Sequence, residues 1–179
     1  MRKTPREIEN LYKNESFFSK IYVKARWNLC PFEFIESFVP KNGNIFDIGC
    51  GYGLLSNYIA LNSKDRTVKG IDLSKERIEI ANRTVGGRNN ITFSLEDANK
   101  IELNNLDCVT MSDFLHHLKY EQQNNLIKVL HKKLGKNGML IIQDINTHSL
   151  LNYAFFSAID HLMHLAAGVY FRREKEFIL

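Results

Sequence analysis

The sequence lacks the features that mark several large classes of protein. Its three cysteines, Cys30, Cys50 and Cys108, are odd in number, far apart and free of any CxxC pair, so neither a disulfide framework nor a cysteine-based zinc site is indicated. A large excess of one charge is missing too. The 24 Lys and Arg stand against 20 Asp and Glu, for a net charge of +4, well short of a domain built to neutralise many phosphates. No uninterrupted apolar run follows the basic start of MRKTPREIENLYKNESFF, which argues against a cleaved signal peptide. No internal repeat or low-complexity stretch interrupts the chain. What remains is an ordinary globular composition, 44% hydrophobic and 25% charged over 179 residues, close to the roughly 150 residues of one domain. A cytoplasmic protein with one core is expected.

Three regions follow from the pattern, 1–41, 42–149 and 150–179. In the first, apolar residues such as Ile8, Leu11, Phe18, Ile21, Trp27 and Ile35 recur at helical intervals, interrupted at Cys30-Pro31, where proline removes a backbone donor. Thr4 before Pro5, with Glu7 three residues on, has the form of a helix cap. In the second region strand candidates at 44–48, 67–71, 91–95, 107–111 and 139–144 alternate with helix candidates at 54–61, 75–85 and 121–134. That alternation is the signature of an α/β fold with a parallel sheet flanked by helices. The second of these helices opens at Ser74 as N-cap, with Ile78 and Ala81 toward the sheet. The third region contains a mostly apolar stretch, 150–171, of nearly membrane-spanning length. Asn152, Asp160, His161 and His164 within it argue for a covering helix rather than a span. The spacing of His161 and His164 beside Asp160 is too sparse a ligand set for a structural metal site, and no metal is expected.

The segment Ile45-Phe46-Asp47-Ile48-Gly49-Cys50-Gly51-Tyr52-Gly53-Leu54-Leu55 passes from a buried strand directly into a helix, the place where a nucleotide-type cofactor meets a parallel sheet. Its spacing is GxGxG, not the GxGxxG of dinucleotide folds, and Asp47 stands two residues before the first glycine. A pyrophosphate wants helix-terminal amides and no nearby anion. A ligand carrying a sulfonium or ammonium group benefits from a carboxylate. Asp72 ends the next strand, about twenty residues on, where an acid can accept the ribose hydroxyl hydrogens. Glu96-Asp97-Ala98 follows the third strand, and an acid there can accept from the exocyclic amine of an adenine. All three acids stand at carboxyl ends of strands, where open α/β sheets bind ligands.

Taken in order, FDIGCGYGLLS, GIDLS, LEDA, CVTMSDFLHHL and LGKNGMLIIQDI resemble the class I S-adenosylmethionine-dependent methyltransferases of small-molecule type, over roughly residues 42–144. The resemblance implies a Rossmann-like, mostly parallel sheet with a terminal antiparallel hairpin, and S-adenosylmethionine as cofactor, converted to S-adenosylhomocysteine. Asp47, Gly49, Gly51 and Gly53 would hold the methionine part and Asp72 the ribose. Leu73 would pack on adenine, Asp97 and Ala98 would meet its edge, and Met111 and Ser112 would line the site near the sulfonium. The blocks stop before that hairpin. The expectation is a fold short of its last two strands, with the fifth strand's edge covered by the 150–171 helix or by a second copy in a homodimer.

Methyl transfer from a sulfonium is an in-line displacement that needs alignment and exclusion of water, and a base when the acceptor is a hydroxyl or ammonium group. His116 and His117, just past the fourth strand, are the candidates, and the geometry of adjacent helical residues lets only one face the cavity readily. His117 is favoured by position. Asp113 could orient a histidine or cap the turn, and Tyr12, Tyr22, Arg26 and Trp27 could form a lid. Two other readings share the fold: a nicotinamide-dependent oxidoreductase, disfavoured by the GxGxG spacing and Asp47, and a non-catalytic binding module. The expected partner is a small-molecule acceptor. No basic-aromatic stripe or acid-Pro-Pro-aromatic motif points to nucleic acid.

Overall fold

A computed structural model describes residues 3–98, 100, 106–144 and 170. The described chain runs α1 (Arg6–Leu11), α2 (Phe17–Leu29), α3 (Phe32–Phe38), β1 (Gly43–Ile48), α4 (Leu54–Asn62), β2 (Arg66–Asp72), α5 (Lys75–Arg83), β3 (Ile91–Leu95), β4 (Leu106–Ser112), a 3₁₀ turn (Leu115–His117), α6 (Tyr120–Lys133) and β5 (Leu134–Gln143). The five described strands form one parallel sheet in the order β3-β2-β1-β4-β5. Strand order reverses between β1 and β4, so the connections that leave those two strands run to opposite faces of the sheet and leave a crevice outside their carboxyl ends.

The neighbouring strands β1 and β4 are buried on both faces, and alternation along them divides the core. Ile45 and Cys108 point into the layer of α1 to α5, packing with Ile8, Trp27, Ile59 and Ile78. Phe46, Ile48, Val109 and Met111 point the other way, against Leu126 and Leu130 of α6. Each such aliphatic side chain taken from water contributes about 1.5–3 kcal/mol.

The helices begin and end where local chemistry dictates. Ser16 accepts from the Ser19 amide at 3.1 Å and starts α2, which stops at Cys30 before Pro31. Ser74 caps α5 as expected, and Ile78 and Ala81 are buried. Thr4 does not cap α1. The helix starts at Pro5 without a side-chain cap, and Thr4 is itself buried. Strand β5 starts earlier than the 139–144 candidate. Leu134 pairs with Leu106 and Met139 with Cys108, and residues 135–138 bulge out between those pairs. Glycine is needed there because a Cβ on Gly138 would lie 2.9 Å from the Gly135 amide nitrogen. The 150–171 helix and the His161, His164 and Asp160 group lie outside the described residues, apart from Tyr170. Among the described residues no helix is long and apolar enough to cross a membrane, and no cluster of His, Cys, Asp and Glu could hold a metal.

One buried ion pair joins the N-terminal helices to the sheet. Arg66, fully buried at the start of β2, donates to Glu36 Oε1 and to the Ile59 carbonyl, both at 2.7 Å. It also donates to the carbonyls of Val39 at 2.8 Å and Pro40 at 2.6 Å. These contacts fix the end of α3 against the sheet. Removing one partner strands the other charge in the interior, so Glu36→Ala is expected to lower unfolding free energy by about 3 kcal/mol or more, read from the urea midpoint.

Candidate active site

The loop after β1 is shaped by three glycines in the left-handed region, Gly49 (φ 72°), Gly51 (φ 56°) and Gly53 (φ 77°). Their surroundings differ. A Cβ on Gly49 would run into the Phe114 ring, and one on Gly53 into Phe93, whereas one on Gly51 would meet nothing within 4 Å. Gly49 and Gly53 therefore permit packing, and Gly51 presents bare backbone to open space. The loop is tied down from three sides. The Cys50 amide donates to the Ile71 carbonyl at 2.9 Å, the Gly51 amide to Asp72 Oδ2 at 2.9 Å, and the Tyr12 hydroxyl to the Tyr52 carbonyl at 2.8 Å.

Asp47 sits beneath this loop, 2% exposed. Its carboxylate accepts from Ser56 Oγ of α4 and from Thr110 Oγ1 of β4, the latter at 2.8 Å. Burial pushes its carboxyl up to about 6, opposed by the hydrogen bonds from Ser56 and Thr110 and reinforced by the negative charge of Asp72. Asp72, at the end of β2, accepts from the Gly51 and Ser74 amides at 2.9 and 2.8 Å.

The other wall of the crevice forms where β4 ends. Asp113 has φ 50°, the sole positive value of a described non-glycine residue, and such backbone strain persists only where surroundings enforce it. Here Arg26 Nη1 donates to Asp113 Oδ2 at 2.5 Å and the Cys30 thiol to the same oxygen at 3.2 Å, while Gln143 Nε2 donates to Oδ1 at 2.9 Å. The Ser112 hydroxyl binds Gln143 Oε1 at 2.5 Å. Helix α2 is thereby joined to the carboxyl ends of β4 and β5. His117 follows on the 3₁₀ turn, its amide donating to the Phe114 carbonyl at 3.1 Å.

Together these residues line one cleft at the carboxyl ends of β1, β2 and β4. Of the residues singled out in the sequence, Asp47, Gly49, Gly51, Asp72, Ser112 and His117 line it, joined by Tyr22, Arg26, Arg77, Asp113 and Phe114. Gly53 starts α4 just behind. Leu73 is 68% exposed beside Asp72. Asp97 and Ala98 follow β3 outside the lining, Asp97 facing Lys100 at 4.0 Å and Ala98 packed in the core. Met111 is buried in the core behind the cleft, and His116 is buried beside His117. Of the four residues considered for a lid, Tyr22 and Arg26 face the cleft, while Tyr12 and Trp27 are core. Gln143 and Cys30 entered the site unannounced. Their partners lie 30 and 83 residues away, and no local pattern marks them.

The Asp47 carboxyl rises on folding from the ordinary 3.8 to about 6. The proton-bound form is favoured in the folded chain, so this contribution to stability is complete below pH 4 and lost as pH rises through 6. Asp47→Asn is therefore expected to be more stable than the parent at pH 7.5, by up to about 3 kcal/mol, with the difference vanishing near pH 4. Thermal melts across that range check this.

Residues 45–138, just over half the chain, match the family described as methyltransferase domain. Phosphoethanolamine N-methyltransferase of Plasmodium falciparum is 34% identical over 106 residues, covering 58% of this chain and 40% of that protein. The mitochondrial ubiquinone biosynthesis O-methyltransferase of Candida albicans is 34% identical over 107 residues, covering 57% and 32%. The chain thus spans less than half the length of these relatives. Among solved structures, the mitomycin 7-O-methyltransferase MmcR superposes with a TM-score of 0.68 over 95% of this chain and 52% of its own, at 14% identity. Coclaurine N-methyltransferase bound to N-methylheliamine and S-adenosylhomocysteine gives 0.56 over 66% and 36%, at 20% identity. With its parallel sheet, its crevice at the β1–β4 switch and this match, the chain belongs to the class I S-adenosylmethionine-dependent methyltransferase family.

Proposed function

We propose that this chain binds S-adenosylmethionine at the β1–β4 crevice and transfers its methyl group to a small-molecule acceptor, with His117 as the base. The observation that carries this reading is the convergence of the bare Gly51 backbone, the buried Asp47, the half-buried Asp72 and His117 on one cleft. When bound, S-adenosylmethionine supplies an electrophilic methyl group on a sulfonium.

The chain's own residues supply binding, charge and proton transfer. Gly51 leaves room for the methionyl part to lie on the main chain. Asp47 holds a carboxylate in a desolvated place where it favours a cation and disfavours a pyrophosphate. Asp72 already accepts two backbone amides, and its oxygens retain lone pairs for ribose hydroxyls. Leu73 offers an apolar platform to the adenine, with Asp97 just past β3 as the acceptor for its edge and Ala98 as packing behind it. Arg26, held by Asp113 at the cleft wall, supplies a cation for the methionyl carboxylate. Ser112 lines the transfer end, with Met111 as packing behind it. His117 removes the acceptor proton as the methyl arrives.

The relatives named phosphoethanolamine N-methyltransferase and ubiquinone biosynthesis O-methyltransferase suggest an amine or hydroxyl acceptor, and a base takes the proton of the ammonium or of the hydroxyl. A reducing compartment such as the cytoplasm suits the three buried thiols.

Calorimetric titration with S-adenosylhomocysteine tests the cofactor assignment. Asp72→Ala is expected to weaken binding at least about tenfold, about 1.4 kcal/mol, through loss of charge-assisted hydrogen bonds. An unchanged dissociation constant contradicts the assignment. With phosphoethanolamine and a catechol as trial acceptors, His117→Ala is expected to lower kcat by about a hundredfold while leaving cofactor affinity alone. Full turnover by that variant removes the base role.

A further inference from the structure

His116 and His117 are neighbours in sequence but opposites in environment. His117 lines the cleft. His116 is 1% exposed and held on several sides. Its ring Nδ1 pairs with Asp144 Oδ1, its backbone amide donates to Asp144 Oδ2 at 3.1 Å, and its carbonyl accepts from the Tyr170 amide at 2.7 Å. Gln123 Nε2 extends this hold by donating to the carbonyls of Leu118 at 2.8 Å and Tyr170 at 2.9 Å. The two imidazole rings lie 4.1 Å apart between centroids, tilted by 51°.

A buried imidazole with both its ring and its amide bonded to one carboxylate cannot rotate without breaking those bonds, each of which costs more to lose inside a protein than in water. At 4.1 Å the His116 ring is in van der Waals contact with its neighbour and restricts the arc through which His117 can turn. Asp144 is placed for this by β5, whose last residue, Gln143, holds Asp113 on the opposite side of the same wall. One strand end therefore carries both supports of the transfer site.

From this we infer that Asp144 and His116 are positioning residues: the Asp144–His116 pair fixes the orientation of the His117 ring toward the cleft. Nothing in the pair touches cofactor or acceptor, and no proton passes through it. The inference rests on the base role proposed for His117, and it accounts for the paired histidines after β4, one serving as the working ring and the other as its backstop.

The test uses the whole chain with its histidines labelled at Cε1, observed by NMR in the presence of S-adenosylhomocysteine. The His117 signal is assigned by its absence in His117→Gln. Asp144→Ala is expected to shift and broaden that signal while leaving S-adenosylhomocysteine affinity within about twofold. Asp144→Asn, which keeps an acceptor for the ring nitrogen, is expected to restore the parent signal. On whichever trial acceptor is turned over, Asp144→Ala should lower kcat by about tenfold or more with KM little changed, and Asp144→Asn should recover most of it. Should the alanine variant fail to fold, Asp144→Ser keeps a polar partner for the buried His116 amide and carries the same expectation. A His117 signal unmoved in both the alanine and serine variants overturns the inference. Full turnover by His117→Ala removes the base role instead, and the NMR arm then still decides whether Asp144 orients the ring.

Discussion

The Asp47 carboxylate is the constraint on which the rest of the site depends. It lies at the carboxyl end of the central strand, buried, with one oxygen bonded to Ser56 of α4 and the other to Thr110 of β4. Those two hydroxyls belong to the elements on either side of the crevice, so a single side chain sets the separation of its walls. A buried carboxylate is expensive to keep ionised, and that cost shows in the upward displacement of its acidity. A cation bound nearby would offset it. The cleft is thus better suited to a positively charged ligand than to a phosphate, which joins the stability of the fold to the chemistry of the ligand.

Around that anchor the molecule is arranged in two supports. The N-terminal helices supply one. Tyr12 braces the glycine loop through the Tyr52 carbonyl, Arg26 braces the strained Asp113, and Glu36 with Arg66 ties the helical layer to β2. The carboxyl end of β5 supplies the other, through Gln143 and Asp144. The end of the cleft at Ser112 and Asp113 lies between them, those side chains held by bonds to residues distant in sequence. Such preorganisation is what an in-line transfer needs, because orientation supplies much of the rate.

Much of this arrangement was legible from sequence where the signal is local. The strand-to-glycine-to-helix passage, the acid at the end of β2 and the amphipathic α5 with its Ser74 cap depend on neighbouring residues, and each is present as read. What eluded sequence reading depends on long-range contact. Arg26 and Cys30, one helical turn apart at the end of α2, meet Gln143 of β5 at Asp113, and no spacing rule connects that helix to that strand. Thr4 carried a capping pattern, but burial removed it from the helix end. The fifth strand starts at Leu134 and not at residue 139, with 135–138 as a bulge inside it, because Leu134 finds a partner on β4 that no local pattern marks. Tyr12 and Trp27 have the composition of a lid but pack inward, a choice made by tertiary burial.

The crevice suits a sulfonium-bearing nucleoside and not a dinucleotide. Calorimetric titration of the intact chain with S-adenosylmethionine and, separately, with NADH distinguishes the two. A saturable isotherm is expected for S-adenosylmethionine and none for NADH. Saturable binding of NADH with no heat from S-adenosylmethionine would contradict it.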